Sequence, residues 1–397
     1  MMTKIPAPPS TAHLALPFFD EAHRSLARDL LPWCAAQEID ERDDRAACRE
    51  WVRRLGDGGW LRYAVPGSAG GALERLDSRA LVLLRETLGF HSPLADFAFA
   101  MQGLGSGAIT LAGTPEQQSN YLTAVGQGGK IAAFALSEPE AGSDVAAMAM
   151  HAEATPDGWR LHGEKTWISN GGIADFYCLF AKTEPAAGTR GITAFIVDAD
   201  TAGLDTSQHI DVMAPHPLAT LRFDNCIVPR TAQLGELNGG FKLAMRTLDI
   251  FRASVAAAAL GMGRRALAEA IAHAKGRRMF GQTLADFQLT QAKLGEMAAL
   301  IDSAALLTYR AAWMRDDAEQ RGAAAVGDVS AAAAMAKMCA TENASRVIDM
   351  ALQMHGGLGV KVGTKIESLY RDIRSLRIYE GATEVQQLII GKSVLRG

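Results

Sequence analysis

The apolar residues of this chain change their spacing twice, which restricts it to folds in which helical segments flank a β-rich one. From about residue 17 to 130, Ala, Leu, Arg and Glu dominate and apolar residues recur every three or four positions, broken by loops such as Pro66-Gly67-Ser68-Ala69-Gly70-Gly71. Between about 131 and 237 the spacing shortens. Phe176 to Thr183, Ile192 to Asp198 and Leu221 to Val228 are β-prone runs, and Leu221 and Phe223 alternate with Arg222 and Asp224. After Asn238-Gly239-Gly240 the helical spacing returns, and Leu294, Met297, Ile301 and Ala304 step along one face of a long helix. The pattern predicts an α+β multidomain protein: a helical domain over 1–130, a small barrel-like β-domain over 131–237 and a C-terminal four-helix-bundle domain over 238–397.

Composition narrows the partners. The 40 basic and 44 acidic residues nearly balance and form no long run of one sign, which argues against a nucleic-acid groove or a polybasic membrane patch and points to a small-molecule partner. Cys34, Cys48, Cys178, Cys226 and Cys339 are scattered without a C-x-x-C pair, so neither a disulfide framework nor a metal site is expected, and a reducing cytoplasm fits. Pro6, Pro8 and Pro9 near the start interrupt any apolar secretion signal. The Ala-rich run from about 323 to 341 contains Asp328 and Lys337 and is too polar for a bilayer span, so a soluble, cytoplasmic protein is expected.

Five blocks carry residues suited to chemistry. Leu136-Ser137-Glu138-Pro139-Glu140-Ala141-Gly142-Ser143-Asp144 offers backbone N–H groups, hydroxyls and a close-approach glycine to a polar ring edge or a phosphate; equally, it makes a self-stabilised turn. Gly163 to Gly171 contains Trp167-Ile168-Ser169, which puts an aromatic and a hydroxyl on one face of a strand, or buries a core Trp. Arg277-Arg278-Met279-Phe280-Gly281 and Gln353-Met354-His355-Gly356-Gly357 pair a diphosphate-gripping arginine with glycines that admit a close ligand, unless the arginines are a solvated helix end. Finally, the basic stretch Arg371 to Arg377 runs into Tyr379-Glu380-Gly381-Ala382-Thr383-Glu384, where Glu380 is either a carboxylate aimed into a cleft or a surface charge.

In this order and spacing the blocks resemble the acyl-CoA dehydrogenase family of flavoenzymes, from about residue 80 to the C-terminus. The resemblance implies FAD as cofactor, with the Leu136 backbone and Ser137 on the flavin ring, Ser143 toward the pyrophosphate and the substrate, Trp167 shielding the flavin edge and Ser169 donating near N5. It also implies that Arg277 reaches the pyrophosphate of a neighbouring subunit, that Phe280 touches the adenine end, and that Gln353 to Gly357 complete that pocket. Gln288, Ala382 and Glu384 fall on the cofactor side as well. Glu380 is then the base that removes the α-proton of an acyl-CoA, flavin N5 takes the β-hydride, and the product is the trans-2-enoyl-CoA. Tyr379, Gly381, Asp249, Phe251 and Arg252 border the thioester; Asp249 and Arg252 match pantetheine contacts, or form an intrahelical pair. An electron-transfer flavoprotein is the implied oxidant, and a tetramer or dimer the implied assembly.

Some branches of the family place the base at the position of Phe251, which here carries no carboxylate, so Glu380 fills the role alone. Relatives carry a Met-Gly-x-Arg-Gly-Ser-like segment where this chain reads Met213-Ala214-Pro215-His216-Pro217-Leu218-Ala219-Thr220, shorter by about two residues and lacking the Arg and Ser. Phe97 to Gln102 contains no arginine to pair with a second carboxylate, which disfavours a dicarboxylyl substrate, and Phe99, Met101 and Phe251 are bulky enough to shorten an acyl pocket unless they are plain core. The other readings open at this point are an acyl-carrier-protein-linked dehydrogenase, a flavin oxidase or monooxygenase relative, and a non-catalytic acyl-thioester binding protein.

Overall fold

The computed structural model describes residues 11–322 and 327–396, so the Pro-rich start and residues 323–326 of the Ala-rich run lie outside the described residues. The chain forms two compact units: one comprises Met1–Glu38, Asp77–Asp96 and Arg252–Gly397, the other Ile39–Leu76 and Phe97–Phe251. No described helix is long and apolar enough to cross a membrane.

The second unit is built on a mixed sheet. Its strands are β1 (Ala132–Ala135), β2 (His151–Ala154), β3 (Gly158–Ser169), β4 (Phe176–Lys182), β5 (Ile192–Asp198), β6 (Leu204–Ile210), β7 (Leu218–Pro229) and β8 (Gln233–Leu234). They pair in the order β6-β7-β3-β2-β4-β5-β8, with β1 added in parallel to β4. Both β4 and β5 are buried along nearly their whole length, as their unbroken apolar text requires. In β7, Leu221 and Phe223 face inward while Arg222 and Asp224 are exposed, the alternation expected from the sequence.

Helices α2 (Asp44–Asp57), α4 (Pro93–Ala112) and α5 (Pro115–Gly126) supply most of the helical residues of this unit, α4 from Phe97 onward. Small residues let α4 lie directly on the sheet: a Cβ at Gly105 would sit 2.7 Å from the Ala132 carbonyl carbon. The Phe251 ring occupies the neighbouring stripe, 2.6 Å from where a Cβ on Gly103 would stand.

The first unit is helical. It contains α1 (Glu21–Ala35), α3 (Ser78–His91), α7 (Gln288–Arg321), α8 (Val329–His355), α9 (Lys365–Leu376), α10 (Thr383–Arg396) and the part of α6 (Gly240–Gly276) that follows Phe251. Met297, Ile301 and Ala304 are buried on α7, whereas Leu294 at the start of the same stripe is half-buried. A buried polar staple crosses this unit: Glu86 takes Arg264 at 2.6 Å and the Tyr309 hydroxyl at 2.7 Å, tying α3 to α6 and α7. A short hairpin, β9 (Arg278–Met279) with β10 (Gln282–Thr283), follows α6.

Candidate active site

In the sheet unit the segment Leu136 to Glu138 is held against β3 from beneath. Lys165 is fully buried and its Nζ donates to the Leu136 carbonyl at 3.0 Å and to Glu138 Oε1 at 2.7 Å. Burial pulls the Lys165 ammonium down to about 8, against the opposing pull of Glu138. The same Glu138 Oε1 also accepts the Met150 N–H at 3.2 Å, and the Thr166 N–H donates to the Ser137 carbonyl at 3.0 Å. Ser137 is thereby fixed next to β3, half-buried, while Ser143 stands exposed farther along the turn.

Trp167 departs from a regular strand. The pairing of β3 with β7 shifts between Lys165 and Ile168, and Trp167 takes a left-handed φ of +59°. That conformation costs a bulky residue on the order of 1–3 kcal/mol. Trp167 is 59% exposed, Ile168 is buried and Ser169 is half-buried, and the bulge at this point interrupts the strict strand period. An exposed Trp held in strained backbone is not a core residue.

In the helical unit Glu380 sits in the turn between α9 and α10. Its φ is +51° and that of Gly381 is +91°, two consecutive left-handed residues. The turn is closed by the Thr383 N–H donating to the Arg377 carbonyl at 3.1 Å. Two residues of α8 clamp it: Glu342 accepts Arg377 Nε at 2.8 Å and the Thr383 hydroxyl at 2.7 Å, and Lys337 Nζ donates to the Gly381 carbonyl at 2.7 Å. Gln386, fully buried on α10, donates to the same carbonyl at 2.8 Å. A Cβ at Gly381 would lie 2.5 Å from the Gln386 amide nitrogen. Gly381→Ala is therefore expected to destabilise the protein by more than about 1 kcal/mol, read by thermal unfolding, because both the positive φ and the amide contact are lost. An unchanged midpoint would refute this account of the turn.

The Glu380 carboxyl keeps one oxygen, Oε2, sealed from solvent without a hydrogen-bond partner. Burial raises its pKa from the ordinary 4.5; the positive charges of Arg85, Lys337 and Arg252 oppose the rise, and Asp96 adds to it. Arg85 and Asp96 form a fork-to-fork pair, each 2% exposed, with contacts of 2.8 and 2.9 Å, and Arg85 Nη1 donates to Ser254 Oγ at 2.9 Å. Asp96 stands in the first turn of α4, where the helix dipole favours a carboxylate. Tyr379 is half-buried, and loss of solvent pushes its phenol far above 10.

The remaining candidates separate by location. Arg277 and Phe280 lie on the exposed hairpin segment after α6; Phe280 (φ +48°) and Gly281 (φ +82°) form its tip, with the Phe280 ring 85% exposed. Gln288, Gln353, Gly357 and Glu384 are also exposed and Ala382 is half-buried. His273 at the end of α6 stacks on His355 at the end of α8, ring centroids 4.3 Å apart, which brings the Arg277 and Gln353–Gly357 blocks to one end of the bundle. On α6, Arg252 is buried and Asp249 half-buried, while Phe251, like Phe99 and Met101, is packed in the interior.

Reading the sequence left several working residues unassigned. Lys337 figures there only as an interruption of an Ala-rich run, and a single Lys on a small-residue face is the signal that marks it. Arg85 and Asp96 carried no signal, because eleven residues separate them across a helix boundary. His216 lay in the segment noted as atypical; its ring contacts Ser169, as described below.

Three domain families match the chain: the N-terminal, middle and C-terminal domains of acyl-CoA dehydrogenases, over residues 17–129, 133–226 and 238–395. A 3-(aryl)acrylate reductase from Clostridium sporogenes is 39% identical over 96% of this chain and 100% of its own length. A caffeyl-CoA reductase-Etf complex subunit from Acetobacterium woodii is 35% identical over 94% of this chain and 97% of its own. The structure of butyryl-CoA dehydrogenase from Megasphaera elsdenii superimposes with a TM-score of 0.87 at 31% identity, covering 95% of this chain and 99% of that one. With all three domains matched in order, the chain belongs to the acyl-CoA dehydrogenase family of FAD-dependent oxidoreductases.

Proposed function

We propose that Glu380 is the base of this enzyme, removing the α-proton of a saturated acyl-CoA on the way to the trans-2-enoyl-CoA. The observation that carries the reading is a carboxylate in a strained, clamped turn, with a sealed and unpartnered oxygen and a raised pKa. Lys337 and Gln386 hold the Gly381 carbonyl and so fix where the carboxylate points. By family resemblance, Tyr379, Gly381 and Arg252 of the helical unit would contact the thioester, as would Asp249, Phe251 and Ser143 of the sheet unit. Arg85 is already committed to Asp96 and Ser254, so it offers no free guanidinium to a second carboxylate, in keeping with a monocarboxylyl substrate.

The residues present fit FAD. The exposed, strained Trp167 is a platform for a flat ring, and a Cβ at Gly142 or Gly357 would meet nothing within 4 Å, which leaves room for close approach at both. Leu136, Ser137, Ser143, Trp167 and Ser169 would hold the flavin and the nearer phosphate. Arg277, Phe280, Gln353 and Gly357 would hold the cofactor of a second copy, Gln288, Ala382 and Glu384 would also lie on the cofactor side, and the exposure of Phe280 supports a homo-oligomer, dimer or tetramer, in which that ring is covered. When bound, FAD supplies the two-electron acceptor for the β-hydride. An electron-transfer flavoprotein is the proposed partner, supported by the similar reductase subunit of an Etf complex, and the cytoplasm the proposed location.

A second reading, reduction of a 2-enoyl thioester, is favoured by the raised pKa of Glu380, which makes its protonated form available to return a proton to the α-carbon, and by the similar reductase. The test is anaerobic mixing of the FAD-loaded protein with a panel of saturated and 2-enoyl-CoAs, following flavin absorbance. Bleaching by a saturated member, faster as pH rises through an ionisation above 4.5, is expected for dehydrogenation. No absorbance change with any thioester would refute the assignment.

A further inference from the structure

His216 lies in the segment between β6 and β7, and the fold of the sheet unit gives that residue a defined task. Ser169 ends β3 and pairs with Leu218, the first residue of β7. Two residues before Leu218 the chain passes over Ser169, and His216 Nε2 lies 3.2 Å from Ser169 Oγ. The backbone on either side of the ring is fixed as well. The His216 backbone N–H donates to Asp44 Oδ2 at 3.0 Å, and the next carbonyl, Pro217, accepts the Asn170 N–H at 2.9 Å. Pro215 and Pro217 restrict the backbone on both sides. The ring packs on Phe97 with centroids 3.9 Å apart. Asp44 is itself paired with Arg45 at 3.1 Å, and Arg45 Nη2 reaches the Leu218 carbonyl at 3.4 Å, so the loop is tied down at both ends.

We infer that His216 is a positioning residue for Ser169: its Nε2–H donates to the serine oxygen, fixes the hydroxyl rotamer and leaves the hydroxyl proton to be donated to the flavin. A free serine hydroxyl samples three rotamers and bonds whatever is near. One whose oxygen already accepts a directed N–H keeps a single orientation, and the donation polarises its own proton. Loss of solvent holds the His216 ring down to about 3, so it is neutral near pH 7 and serves as a hydrogen-bond partner rather than a charge. The inference rests on the reading that Ser169 faces the flavin.

The experiment is the midpoint potential and visible spectrum of the FAD-loaded protein, by anaerobic reductive titration against a redox dye, for wild type, Ser169→Ala, His216→Leu, His216→Gln and the double variant Ser169→Ala/His216→Leu. A donor to the flavin stabilises the electron-rich reduced form more than the oxidised one, so its loss lowers the potential. Ser169→Ala is expected to shift the potential downward, His216→Leu to shift it in the same direction, and the double variant to go no further than Ser169→Ala. His216→Gln, whose amide nitrogen reaches the place of Nε2, is expected to restore most of the shift. A His216→Leu potential and spectrum equal to wild type, with Ser169→Ala shifted, would overturn the inference, as would additive shifts in the double variant. If Ser169→Ala itself leaves the potential unchanged, it is the placement of Ser169 at the flavin that fails. Should His216→Leu not fold, His216→Phe, which keeps the packing on Phe97, is read by the same rule.

Discussion

Glu380→Gln is expected to slow flavin reduction by a saturated acyl-CoA by about 10²–10⁴-fold while leaving the unfolding midpoint unchanged or higher. The two halves of this expectation have one cause. Burial raises the folded-state pKa of Glu380 above the ordinary 4.5. A carboxyl of that kind contributes stability that is fully present below the unfolded pKa and lost as pH rises through the folded pKa, because the native state then holds an ion that the unfolded chain would solvate. Gln mimics the protonated form at every pH, so at neutral pH it relieves that cost while removing the base. Single-turnover absorbance and thermal unfolding of the same two proteins check both halves. A variant that loses activity only because it unfolds would remove the support for Glu380 as base.

Asp96→Ala is expected to cost about 3–5 kcal/mol in denaturant unfolding, since it leaves the Arg85 guanidinium buried without its carboxylate. The paired change Arg85→Met/Asp96→Leu is expected to recover most of that loss, because apolar side chains of similar volume need no desolvated partner. The pair also sets the charge around the base. Arg85 lowers and Asp96 raises the Glu380 pKa, so Arg85→Met should move the pH profile of flavin reduction upward and Asp96→Asn should move it downward. Profiles that stay in place for both would show that the pair serves stability alone.

The legible part of the fold followed from periodicity. The β-runs at Phe176, Ile192 and Leu221 were found nearly to their boundaries, because half or full burial on a two-residue repeat leaves a direct trace in the text. The Met297, Ile301 and Ala304 stripe is equally direct, and Leu294 ran one turn past the buried region, where the same helix face opens to solvent. Trp167 and Ser169 were legible as a pair on β3, but the bulge and positive φ at Trp167 leave no mark on residue type. The two compact units likewise recruit segments far apart in the chain, with Asp77–Asp96 joining the C-terminal helices, a grouping that no local pattern encodes.

By itself the amino-acid order determined the helical, β and helical text, long helices too polar to cross a membrane among the described residues, and a carboxylate followed by a glycine after the basic stretch Arg371 to Arg377. These are short-range properties, set by side-chain type and by spacing of a few residues. Only the tertiary structure decided what surrounds that carboxylate and its counterparts in the sheet unit. Lys337, Gln386 and Glu342 converge on the Glu380 turn across 44, 5 and 41 residues of chain. Likewise Lys165 reaches Glu138 across 27 residues, and His216 reaches Ser169 across 47. A buried polar group must find a partner wherever the packing of apolar surfaces puts one, so its identity follows from helix and strand packing and not from its neighbours in sequence.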